Sequence, residues 1–312
     1  MLNTDKTYAY TTFGLTIASD MLLPELEKAS CNLTDSGADF HIRRQDLAKE
    51  WGETDPLDRK GFIVEENRVM FEVPELAVFS IEGGKTITVS FSEEENEDRV
   101  RLYILGSCMG IMLMQRKVLA LHGSAIAIDG KAYVFIGESG AGKSTLASSF
   151  MKQGYKLLSD DIVALSMKEG IPWVTPSYPQ QKLWLESIQA FEMKATDYEP
   201  LFDRITKFSI PVRADFQNTP MPLGGIFELS CEDVEAIEFH PVKKLHRLKV
   251  LYTHTYRRSI LERMGMMAWH FTYCAECLPS VSIYRIIRPT SAFTAHDLVD
   301  IITHVIQGGN SK

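Results

Sequence analysis

The chain has 312 residues, 45% of them apolar, and a formal net charge of -8. That length fits two domains or one large α/β domain with a substantial core, and the apolar content excludes a globally disordered chain. The acidic balance, with no basic run, argues against a nucleic-acid partner, and no apolar stretch approaches the roughly 20 residues that span a bilayer, so no membrane partner is expected.

Residues 1–6 lack the apolar core of a signal peptide, and the five cysteines at 31, 108, 231, 274 and 277 form no disulfide framework. Both observations point to the cytoplasm. Residues 1–117 are expected to form a β-rich domain ending in a helix. Short β-branched segments at 8–17, 61–64, 68–73 and 85–91 are separated by turn residues and predict a small antiparallel sheet. The acidic run 93–98 reads as the solvated start of a helix over 100–118, where apolar residues dominate.

The second domain, 118–312, opens with two strands, 119–128 and 131–136, joined by a tight turn at Asp129-Gly130. There follow Gly137, Glu138, Ser139, Gly140, Ala141, Gly142, Lys143, Ser144 and Thr145, which match the pattern G-x-x-x-x-G-K-[ST]. This is the sequence of a phosphate-binding loop. Its glycines let backbone N–H groups turn inward on phosphate oxygens, the lysine reaches the β/γ-phosphates, and the Ser144 hydroxyl is a candidate Mg²⁺ ligand. The strand before it and the apolar helical spacing of 146–152 after it supply the frame such a loop needs.

Gly154 ends that helix, and residues 155–158 predict a short strand delivering Ser159-Asp160-Asp161, with a further strand at 162–167. A right-handed crossover would set the first of these parallel to the strand before the loop, bringing both carboxylates to the phosphates. Strand alternation would turn them to opposite faces, one supporting Mg²⁺ and the other taking a proton from an acceptor. His122 is the third candidate, an imidazole placed to bond a carboxylate or a phosphate. Downstream, 172–179 reads as loop, 181–191 as helix, 221–229 and 234–239 as strands, 245–273 as helical, 281–286 as strand and 294–306 as a closing helix. Cys274 and Cys277 read as two packed thiols.

His122-Gly123, the loop 137–145 and Leu157-Leu158-Ser159-Asp160-Asp161 together resemble the catalytic core of the HPr kinase/phosphorylase family. His122 stands 21 residues before Lys143 and Asp161 18 residues after it, the intervals of that family. The resemblance implies an α/β, PEP-carboxykinase-like P-loop fold, ATP and Mg²⁺ as cofactors, and phosphoryl transfer to a serine hydroxyl. It further implies Asp161 as proton acceptor, His122 as its electrostatic partner, Lys143 on the phosphates, and Ser144 with Asp160 at the metal. No Glu-Ile-Arg-Gly-Leu-Gly-like segment follows, so kinase rather than phosphorylase activity is the expectation.

Tyr178-Pro179-Gln180-Gln181-Lys182-Leu183-Trp184 and Arg288-Pro289 are similar to the HPr-kinase-like proteins of lasso-peptide biosynthesis, which phosphorylate the C-terminal serine of a precursor peptide. The expected partner is therefore a peptide with a serine acceptor, with homo-oligomerisation left open. Lys182, Lys207, Arg257 and Arg258 are candidate contacts for phosphate or for a substrate carboxylate. A free-serine or HPr-type protein serine kinase, and a non-catalytic ATP-binding switch, are the alternatives.

Overall fold

A computed structural model describes residues 7–29, 37–54, 61–92, 96–201 and 204–308. It is a mixed α/β structure with an eight-stranded, a seven-stranded and a three-stranded sheet. The chain divides into two compact units, Met1–Ala120 with Arg257–His270, and Leu121–Tyr256 with Phe271–Lys312. Residues 257–270 thus fall in the first unit.

In the first unit, β1 (Tyr8–Thr12) and β2 (Leu15–Ser19) form a hairpin where one segment was expected. The turn falls at Phe13 and Gly14, both at positive φ. After β3 (Glu27–Lys28), β4 (Phe40–Arg44) and α1 (Ala48–Gly52) comes an antiparallel meander of β5 (Phe62–Val64), β6 (Arg68–Val73), β7 (Ala77–Glu82) and β8 (Thr86–Phe91). The sheet order is β3-β1-β2-β4-β8-β7-β6-β5. Because β4 lies parallel to both β2 and β8, the sheet is mixed and larger than the small antiparallel one expected.

The expected helix over 100–118 is α2 (Glu97–Tyr103), a π-helical turn at Ile104–Cys108, and α3 (Met109–Gln115). Its acidic start is described only from Asn96, whose side chain accepts from the Arg99 N–H and caps the first turn; Glu93, Glu94 and Glu95 lie outside the described residues. Met109, Ile111, Met112, Leu113 and Met114 are all buried, the pattern of a helix enclosed on every side.

The second unit opens with the expected hairpin, β9 (Leu119–Ile128) and β10 (Lys131–Gly137), and then α4 (Lys143–Lys152). β11 (Lys156–Lys168) is one strand of 13 residues where two were expected. β12 (Ile171–Thr175) occupies a stretch read as loop; its Pro172 sits near the strand start, where a missing N–H is tolerated. The stretch read as one helix is β13 (Gln180–Trp184) followed by α5 (Leu185–Ala190). Gln181 and Lys182 are buried there beside Leu183, so the apolar spacing that suggested a helix missed the polar groups facing inward.

β14 (Glu199–Leu201) and β15 (Arg204–Pro211), unforeseen in the sequence, complete the small sheet β13-β15-β14. Then come β16 (Met221–Glu232), β17 (Glu238–Pro241), α6 (His246–Thr253), α7 (Arg258–Arg263) in the first unit, α8 (Met267–Cys277), β18 (Ser282–Pro289) and α9 (Ala295–Ile306).

The large sheet runs β10-β9-β11-β12-β16-β18-β17, with β10 also paired to β16. Five strands thus close into a ring, β10-β9-β11-β12-β16. β11 runs in the same sense as β10, as the expected crossover requires, but β9 lies between them, and the strand paired directly and in parallel with β10 is β16, with Val134 opposite Ile226. α4 packs on α9. Leu146 and Phe150 of α4, Leu298, Val299 and Ile302 of α9, and Phe135 and Phe227 of the sheet share one buried cluster. Each such side chain contributes about 1.5–3 kcal/mol through burial. Cys274 and Cys277 are buried thiols outside any disulfide, and burial pushes the pKa of each up to about 12, as packed thiols should be.

Candidate active site

A cavity of about 380 Å³ in the second unit draws its lining from the loop 137–145, β9, β11, β13, β15, β18 and the start of α9. The loop's shape begins with its first glycine. A Cβ on Gly137, at φ +153, would lie 2.4 Å from the Leu229 carbonyl oxygen, so only glycine lets the chain leave β10 so close to β16. Gly140 and Gly142 are left-handed at φ 88 and 101, and α4 starts directly after the second.

Lys143 is buried and lies across its own loop, its Nζ donating to the carbonyls of Gly137 and Glu138 at 2.9 Å each. Burial lowers its pKa, against the opposing pull of Asp160 and Asp161. Ser139, Gly140, Gly142, Lys143, Ser144 and Thr145 face the cavity. Gly137 and Glu138 contribute instead the carbonyls that hold the lysine. The Ala141 carbonyl accepts from Arg288 Nε at 3.0 Å.

Asp160 is the hub on the other side. Its Oδ1 accepts from Ser124 Oγ at 2.6 Å and Ser144 Oγ at 2.9 Å, while Oδ2 accepts from the Lys182 backbone N–H at 2.8 Å. Its neighbour should point the opposite way on a regular strand. Asp161 does not, because it sits at φ 79, a left-handed conformation that Asp tolerates better than most residues at a cost on the order of 1 kcal/mol. That local break brings both carboxylates to one cavity, correcting the expectation of opposite faces.

The two acids keep different partners. Asp161 Oδ2 accepts from Lys182 Nζ at 2.8 Å, and His122 Nδ1 lies 3.3 Å from Oδ1 and 3.1 Å from the Asp161 carbonyl oxygen. Burial pushes the Asp161 pKa up, but Lys182 and His122 together outweigh it and hold the carboxyl well below its usual range. Burial likewise opposes the Lys182 charge, and Asp161 more than restores it, so the lysine's pKa is raised.

His122, Lys143, Asp160 and Asp161 are therefore brought together, as the sequence predicted. Of the four candidate cations, Lys182 and Lys207 line the cavity. Arg257 and Arg258 do not: both belong to the first unit, where Arg257 Nη2 donates to Ser107 Oγ at 2.5 Å. Ser124 was missed in the sequence, and Gln181 and Arg288 stood there only within segments of resemblance, without a role of their own. Gln181 links the loop helix to β13, its Nε2 donating to the Ser144 carbonyl and its Oε1 accepting from Ser148 Oγ. The available signal was the hydroxyl of Ser124, two residues beyond His122 on the same strand and so on the same face.

Ser144 and Asp160 offer a hydroxyl and a carboxylate oxygen at one point. Among the described residues no group of three or more His, Cys, Asp or Glu side chains could cage a metal. Mg²⁺ normally binds through one or two carboxylates with substrate phosphates and retained waters, and this pair fits such a metal arriving with a nucleotide.

No protein-family model matches the chain. A stretch of 64 residues is 34% identical to an HPr kinase/phosphorylase from Mycoplasmopsis pulmonis (strain UAB CTIP), covering 20% of this chain and 21% of that protein. The chain thus spans about a fifth of the length of the curated relative it matches. The solved structure of the Hpr(Ser) kinase/phosphatase from Coxiella burnetii aligns with a TM-score of 0.34 and 12% identity, over 61% of this chain and 97% of that one. Among the described residues no helix is long and apolar enough to cross a membrane. Over those 64 residues the chain is similar to an HPr kinase/phosphorylase.

Proposed function

We propose that this protein is an ATP-dependent kinase that transfers the γ-phosphoryl group to a serine hydroxyl of a peptide. The observation that carries the reading is the Asp161 carboxylate, held ionised in the same cavity as the loop 137–145. In this reading the loop amides and Lys143 hold the β- and γ-phosphates in a PEP-carboxykinase-like P-loop core, and Ser144 and Asp160 hold Mg²⁺. The metal would neutralise phosphate charge.

The acceptor's hydroxyl hydrogen-bonds to Asp161. Its oxygen bonds to the γ-phosphorus as the bond to the β–γ bridging oxygen breaks; the proton passes to Asp161 and ADP leaves. A carboxylate of depressed pKa is a weak base, which suits a loose transition state in which the acceptor proton moves late and orientation matters most. His122 and Lys182 fix that orientation through their contacts with Asp161.

A C-terminal serine, as in a lasso-peptide precursor, brings a carboxylate beside its hydroxyl. Lys207, whose Nζ lies 5.4 Å from the Trp184 ring centroid, provides a cavity cation for it. Lys182 is a weaker candidate for that contact, because it already pairs with Asp161. The test is incubation with ATP, Mg²⁺ and peptides ending in serine, their C-terminally amidated forms, and free serine. Phosphate appearing on the acid-ended peptides, and far less on the other two, is the expected result. Folded protein that binds ATP and phosphorylates none of them overturns the reading.

A further inference from the structure

The cavity extends beyond what phosphates and a serine hydroxyl require. Leu146, Phe293, Ala295 and Leu298 give part of its lining an apolar character. Phe293 stands out among them: it is 46% exposed, although apolar rings are normally covered. The ring is held in place by its neighbours, with Phe191 at a centroid distance of 5.6 Å and nearly perpendicular, and His296 at 5.9 Å. Phe191 is buried in the core cluster that also holds Leu298, so the exposed ring is braced by a rigid foundation.

The other large aromatic ring in the cavity is Trp184, and it serves a different neighbourhood. Lys207 lies over it, and Lys182, two residues earlier on β13, is bonded to Asp161. That places Trp184 with the acidic group, where the γ-phosphate and the acceptor must meet. A nucleoside triphosphate with its γ-phosphate there must direct its nucleoside to another part of the cavity. The apolar part of the remaining lining comes from α4, Phe293 and the start of α9, beside the polar Glu186, Ser187 and Arg288.

We infer that Phe293 is the stacking platform for the nucleobase, with Leu146 and Leu298 beneath the base and sugar. The inference rests on the nucleotide-binding reading above and adds to it the residue that distinguishes a nucleotide from bare polyphosphate. An aromatic face suits this role because every base presents a π-face, and such stacking is worth enough to change affinity about tenfold.

The experiment is calorimetric titration of the full chain with Mg²⁺·ATP and, separately, with Mg²⁺·tripolyphosphate, in the wild type, Phe293→Ala and Phe293→Trp. Phe293→Ala is expected to weaken ATP about tenfold and leave tripolyphosphate within about twofold, and Phe293→Trp to restore ATP binding. Tripolyphosphate also reports whether the variant has kept its fold. Unchanged ATP affinity in Phe293→Ala, or equal weakening of both ligands, overturns the platform while the phosphate cradle stands. If the wild type binds neither ligand, the nucleotide reading itself falls, and the platform with it.

Discussion

The two sides of the cavity are built in opposite ways. The loop 137–145 is one contiguous segment whose backbone does the work, with three glycines at positive φ and a lysine folded onto its own carbonyls. The acidic side is assembled from strands far apart in sequence: His122 and Ser124 on β9, Asp160 and Asp161 on β11, Lys182 on β13. A contiguous segment can hold a phosphate chain without help from distant residues. Reactive side chains, by contrast, acquire their charge state only from neighbours that the sheet brings up. The two sides should therefore fail differently, the loop in binding and the acidic side in transfer.

Asp161→Asn should produce the largest effect. The amide keeps the size of the carboxylate and one of its two acceptor oxygens but cannot take a proton, so transfer is expected to fall about a hundredfold or more. ATP affinity should be largely kept, because the loop is untouched. Single-turnover transfer and calorimetric ATP binding, measured on the same preparation, separate the two quantities. Full-rate transfer by the variant would remove Asp161 from the role of base.

Lys143→Ala addresses the other side and should lower ATP affinity and turnover together, by about tenfold or more in binding as a charge-assisted phosphate contact is lost. The hydrogen bonds from Lys143 to Gly137 and Glu138 also disappear, so thermal unfolding should accompany the titration. Unchanged nucleotide affinity in a folded variant would mean that the loop does not grip phosphate through this lysine.

The same contrast explains what was legible in the sequence. The loop was readable residue by residue because its shape depends on local backbone geometry. Its intervals to His122 and Asp161 were readable too, and with them the group of four that the structure brings together. Four features were not. Asp161 at positive φ has no signature in a run of strand-forming residues, and without it the two acids would diverge.

Lys182 lay in a stretch whose apolar spacing imitates a helix; only the folded sheet shows that Gln181 and Lys182 are buried polar groups with partners. The third feature is the pairing of β16 with both β10 and β12, a long-range contact that no local pattern announces. Gly123 belongs with these. A Cβ there would lie 2.4 Å from the Phe135 carbonyl oxygen, so the residue beside His122 is a glycine because β9 and β10 press together at that point. In the sequence it is only half of a His-Gly pair.

The smallest predicted effect bears on the charge state of the acidic side. In the wild type Lys182 and His122 together overcome the burial that would raise the Asp161 pKa. A carboxyl whose folded pKa is depressed stabilises the fold above its unfolded value, near 3.8, and loses that contribution as pH falls through the lower folded value. Wild-type transfer should accordingly show no acid limb from Asp161 at any pH above the ordinary carboxylate range. Lys182→Met removes the larger of the two charges while keeping an unbranched side chain in β13. Burial then dominates, the pKa rises, and an acid limb should enter the kcat/KM profile from below. ATP affinity, which belongs to the loop, should change less than transfer does. The measurement is kcat/KM against pH for both proteins, with binding followed at each pH to separate titration from loss of fold. Superimposable profiles would mean that Lys182 does not set the ionisation of Asp161, and that the two sides of the cavity are less distinct than their construction implies.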